Sequence, residues 1–102
     1  MKYQLVIQFP EEICGDLDWI AYLEEIIDQS LIDAELDGHD IGSGEVNIFI
    51  ETNAPINSFE IVKKILNEQA ISLKKTKAGY RDFDSNQYIP VWPEDLVEFN
   101  VI

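Results

Sequence analysis

The chain has 102 residues, close to half of them apolar, and sets 20 acidic residues against seven basic ones for a formal charge of −13. A chain of this size is expected to form one domain around one core, without needing disulfides or metals. Its charge turns the surface away from nucleic acid and anionic lipid, both of which are held through Lys and Arg on phosphate.

The charge is also segregated. No Lys or Arg lies between Tyr3 and Val62, a stretch holding fourteen of the acidic residues, whereas six of the seven basic residues fall between Lys63 and Arg81. Such self-repulsion favours solubility and works against the compact state, so added salt is expected to stabilise the fold. No charged-then-apolar leader opens the chain, no apolar run reaches membrane-spanning length, and Cys14 has no second cysteine for an internal disulfide. The expected setting is reducing and cytoplasmic.

In chain order, Tyr3 to Phe9 alternates, with Leu5, Ile7 and Phe9 on one side and Gln4, Val6 and Gln8 on the other, until Pro10 stops the strand. From about Asp16 the period becomes helical. Trp19, Ile20, Leu23, Ile26, Ile27 and Leu31 share one face, Asp18, Glu25, Asp28 and Gln29 the other, and Asp16 is the expected cap. Ala34 to Asp40 and the β-branched run Glu45 to Glu51 predict a hairpin joined by Ile41-Gly42-Ser43-Gly44. After Thr52-Asn53-Ala54-Pro55, the spacing of Asn57 and Glu60 suits a capping box for a second helix through about Gln69. Phe59, Val62, Ile65 and Leu66 would be its buried stripe, with Glu60, Lys64 and Glu68 spaced for pairing on the wet side. A strand is expected from about Ser72 to Arg81. Asp82 to Asn86 then turns the chain into Tyr88 to Trp92, where Pro90 restricts any further strand to an edge.

Strand, helix, strand, strand, helix, strand is the split βαβ order of the ferredoxin-like α+β fold: a four-stranded antiparallel sheet, with a fifth strand allowed at one edge, and two helices on one face. Residues 1–102 are read as one domain. With Leu5, Ile7, Leu36, Val46, Ile48 and Ile50 facing the helices, parity sends Gln4, Val6, Gln8, Glu35, Asp37, His39, Asn47, Phe49 and Glu51 to a bare sheet face. That face is the expected working surface.

The densest local cluster is Asp37-Gly38-His39-Asp40-Ile41-Gly42-Ser43-Gly44-Glu45-Val46-Asn47, followed later by Ala78-Gly79-Tyr80-Arg81 and Trp92-Pro93. Here the chain resembles an uncharacterised family of small bacterial proteins with a D-G-H-D-x-G-S-G-x-x-N motif, from whose A-x-Y-R-like or A-Y-R segment it departs by the extra Gly79. The resemblance implies a ferredoxin-like fold and brings no activity with it.

Read from its residues, the loop is first a tight strand connection, with Gly38, Gly42 and Gly44 allowing positive φ or a bulge and Asp40 and Ser43 supplying turn hydrogen bonds. A metal held by His39 with Asp37, Asp40 or Glu45 is the weaker reading, because one histidine without a second His or clustered Cys is a poor donor set. A phosphate nested by the Gly-Ser-Gly turn would meet Asp40 and Glu45. Asp82, Asp84 and Asn86 begin like a calcium loop, but Gln87 stands at its glycine position and Pro93 at its glutamate position, so a turn is expected. Nothing in the sequence brings Cys14, His39 and Asp40 together as a nucleophilic set.

No catalytic, cofactor-binding or metal-ligating residue is assigned, and an enzyme is the less favoured class. The favoured reading is an acidic interaction protein, of the inhibitor or immunity type, that meets a basic protein partner through Glu24, Glu25, Asp28, Glu35, Asp37, His39, Asn47, Phe49, Tyr88 and Trp92, with Tyr22 as a further anchor. Its rival is a ligand-binding or catalytic domain on the open sheet face around His39. A homo-oligomer through that face fits both.

Overall fold

The computed structural model describes residues 1–13 and 16–101; Cys14 lies outside them. Five strands, β1 (Tyr3–Pro10), β2 (Ala34–Gly42), β3 (Glu45–Thr52), β4 (Lys77–Asp82) and β5 (Ile89–Trp92), and two helices, α1 (Leu17–Ser30) and α2 (Pro55–Glu68), follow one another as β1-α1-β2-β3-α2-β4-β5. The strands form one antiparallel sheet in the order β2-β3-β1-β4-β5, so the fifth edge strand is present.

Alternation decides which side is core. Leu5, Ile7 and Phe9 of β1 and Val46, Ile48 and Ile50 of β3 join Ile20, Leu23 and Ile27 of α1 and Phe59, Val62, Ile65 and Leu66 of α2 in one buried cluster. Both helices therefore lie on the same face of the sheet, as the strand parity requires. Asp16 caps α1, its Oδ1 accepting the Asp18 N–H at 2.9 Å.

The second helix begins earlier than the Asn57–Glu60 spacing suggests. Pro55 opens it, Ala54 occupies the cap position without a side-chain bond, and the Thr52 hydroxyl accepts the Ala54 N–H at 2.9 Å while bonding Ser58 Oγ at 2.7 Å. Proline suits a first helical position because its missing N–H would have had no partner there. Glu60 pairs with Lys63 at 3.4 Å, one turn position short of Lys64. The helix ends in a Schellman arrangement: Ile71 N–H bonds Leu66 O, Ala70 N–H bonds Asn67 O, and Ala70 itself takes φ 60°. Residues Leu73–Lys75 then form a 3₁₀ turn, so β4 starts at Lys77 instead of near Ser72.

The hairpin turn between β2 and β3 has Ser43 at φ 54° and Gly44 at φ 80°, the two positive values that a type I′ turn needs to match strand twist. One residue defeats the simple parity of β2. The register passes from Leu36↔Ile50 to Gly38↔Phe49, leaving Asp37 as an extra residue in a bulge with Gly38 at φ 108°. Beyond the bulge the faces exchange, and His39, opposite Ile48, lies on the helix side.

The far face of the sheet is not bare either. The C-terminal segment crosses it, seating Phe99 against Gly79 and Tyr88 and bonding Asn100 O to the Gln8 side chain at 3.0 Å. Val6, which points away from the helices and pairs with Gly79 in the register, is fully buried.

Candidate acidic interaction surface

Cross-strand register arranges the far face in three rows: Glu35, Glu51, Gln4 and Arg81; then Gly38, Phe49, Val6 and Gly79; then Asp40, Asn47, Gln8 and Lys77. The C-terminal segment covers the β1–β4 half. Toward the β2 edge the rows remain open, and there Glu35 and Glu51 stand directly opposite one another, exposed and half-buried respectively. Like charges facing across strands are mutually destabilising, and neither carboxylate is ion-paired among the described residues. The nearest cation in that row, Arg81, donates Nε–H to Gln4 Oε1 at 3.0 Å and Nη1–H to Ser85 O at 3.1 Å.

Phe49 adds an apolar step beside these carboxylates. Its partner on β2 is Gly38, around whose missing side chain nothing lies within 4 Å, so the ring has no cover from the edge. Asp40 occupies the next row, exposed. Around the β2 edge, Glu25 and Asp28 are exposed on α1, and Asp28 Oδ1 accepts the Leu36 N–H at 3.4 Å. Tyr22, 54% exposed, stands on the same helix with its ring 6.3 Å from Trp19. The acidic surface thus wraps from the outer side of α1 over β2 onto the far face of the sheet.

The remaining sequence-derived residues are placed elsewhere. Glu24 is 8% exposed: it follows Ile20 by four positions and precedes Ile27 by three, and so belongs to the buried stripe of α1. His39, turned inward by the bulge, meets it with Nδ1 2.7 Å from Oε1. This pair ties α1 to β2, with the Glu24 side chain 11% exposed and the His39 ring still 31% exposed at the edge. Asn47 is 1% exposed, its Oδ1 accepting from Gln8 Nε2 at 2.9 Å. Tyr88 packs its ring 5.3 Å from that of Phe99 and donates its hydroxyl to Gln4 Oε1 at 2.9 Å. Trp92 lies on the helix side, 6.0 Å from Phe59, under the Lys63 ammonium at 4.8 Å, with Nε1–H bonded to Leu73 O. Both aromatics are engaged internally.

Strand parity places Glu51 on the far face, and the register pairs it there with Glu35. Among the described residues, no three His, Cys, Asp or Glu side chains converge as a metal site. No helix among them is long and apolar enough to cross a membrane. Comparison with known families, curated proteins and solved structures finds no match in any of the three.

Proposed function

We propose that this chain is an acidic interaction domain that captures a basic protein, as an inhibitor or immunity-like binder does, through the surface wrapping β2. The observation that carries this reading is the uncompensated Glu35–Glu51 pair beside Phe49. The fold sets two carboxylates against each other and, among the described residues, pairs neither with a cation, an arrangement whose cost a partner's Lys or Arg would relieve. The apolar step gives such a cation's aliphatic stem something to pack on. Glu25, Asp28, Asp37 and Asp40 extend the field around the edge and favour fast encounter.

The strand order agrees with a ferredoxin-like assignment, and the single cysteine agrees with a reducing, cytoplasmic setting. The same field disfavours nucleic acid and anionic membranes. The rival ligand site has less support, because His39 is engaged with Glu24 on the helix side of the sheet and the chain's own end crosses part of the far face. Homo-oligomerisation through that face would have only the β2 half to use, where carboxylates would meet carboxylates.

The test is direct binding of each purified partner recovered at low salt. Association should slow by about tenfold or more between roughly 50 and 500 mM salt. It should also slow in the Glu25→Lys and Asp40→Lys variants. Partners indifferent to salt and to both reversals, or repeated recovery of nucleic acid alone, would overturn the proposal.

A further inference from the structure

The end of the chain is attached to the sheet in a different way from everything else in the fold. Leu96 N–H turns back to Pro93 O, and beyond it residues 97–101 make no backbone-to-backbone hydrogen bond among the described residues. Among the described residues, the side-chain attachments of this segment to the sheet are one ring and one amide. Phe99 is 4% exposed, with Cδ2 only 2.5 Å from where a side chain at Gly79 would begin, and Gln8 Nε2 donates to Asn100 O at 3.0 Å. Val97, two residues before the ring, is 93% exposed.

Solvent reaches the segment from both flanks. One cleft runs between it and Gln8, Glu45 and Lys77, and another between it and Asn86, Gln87 and Tyr88. Neither Phe99 nor Val6 belongs to the buried cluster that joins sheet and helices. Lifting the segment would therefore leave that core and every strand pairing in place, which is the condition for a local opening distinct from unfolding.

We propose that residues 96–101 form a strap that opens and closes over an intact sheet. The groove it vacates, floored by Val6 and Gly79 and walled by Gln8 and Tyr88, accepts an extended segment carrying one aromatic side chain. The sequence shows what the groove is shaped for. Gly79 is the one residue type that leaves room for a ring at this point of β4, and the amides of Gln8 and Asn47 form a fixed acceptor–donor pair positioned to meet a passing backbone carbonyl. In the free protein that occupant is the chain's own end. This inference stands apart from the acidic surface, which lies on the other half of the face.

The experiment is fluorine NMR on full-length protein carrying 4-fluorophenylalanine at position 99, or at position 59 as a control. Two exchanging resonances are expected at position 99 well below the unfolding temperature, and one at position 59. A synthetic peptide of residues 95–101 should raise the open population with concentration. It should also bind the Phe99→Ala protein about tenfold or more tightly than the parent, because the internal competitor is gone. A single position-99 resonance up to global unfolding, or equal peptide affinity for the two proteins, would overturn the strap.

Discussion

At the scale of single residues, the fold holds several side chains in places where another residue type would be more comfortable. Ala70 is one. It ends α2 at φ 60°, a left-handed position that costs a residue with a Cβ roughly 1–2 kcal/mol and that helices usually give to glycine. The side chain is exposed, so Ala70→Gly removes the strain without opening a cavity. The expected outcome is a gain of about 0.5–1 kcal/mol in denaturant unfolding, reduced from the full strain by the greater freedom of glycine in the unfolded chain. A loss of stability would mean that the Schellman end of α2 does not form. Glu24 shows the opposite case, a charged residue on an apolar stripe, accommodated because the His39 ring lies 2.7 Å from its carboxylate. Its position four after Ile20 was readable from the sequence. Its partner was not, because that depends on which way β2 turns His39.

At the scale of elements, the sequence was informative wherever one side of an element had to be apolar. Leu5, Ile7 and Phe9, their β3 counterparts, the α1 stripe and its Asp16 cap all follow from spacing alone, and each is in the structure as expected. Alternation carries no information about a bulge, however. The same residues Glu35 to Asp40 can be threaded with or without an extra position, and only the positive φ of Gly38 inverts the faces after it. That the residues after Pro93 are apolar enough to dock on the body is readable from composition, but the face they dock on is not: Phe99 seats against Gly79 without regular hydrogen bonding, so no periodicity announces the place. The bulge makes a prediction of its own. A side chain at Gly38 would have open space, but φ 108° is strained for any L-residue. Gly38→Ala should therefore cost about 1–3 kcal/mol on unfolding, through backbone strain alone. Substituting the unstrained neighbour Asp37 by Ala should cost much less. Equal effects of the two would place the bulge elsewhere in β2.

At the scale of the whole molecule, the −13 charge is a distribution as well as a total, and β2 with its neighbours on α1 and β3 carries a run of it without a Lys or Arg. That exposed edge strand is itself blunted: the bulge, the Asp28 side chain on the Leu36 N–H and the flanking carboxylates all discourage pairing with another strand, just as Pro90 does at the opposite edge. Carboxylates could serve that protective role alone, in which case their repulsion would be a cost with no binding purpose. The two roles are separable at Glu35. Glu35→Lys places a cation opposite Glu51 and replaces a repulsive cross-strand pair by an attractive one, so the free protein should gain about 0.2–1 kcal/mol, most clearly at low ionic strength. If the pair exists to receive a partner's cation, the same substitution fills that place from within and should weaken the complex about tenfold or more. Stability and affinity would then move in opposite directions. A Glu35→Lys protein that is stabilised and binds its basic partner undiminished would assign the pair to edge protection and remove it from the interface.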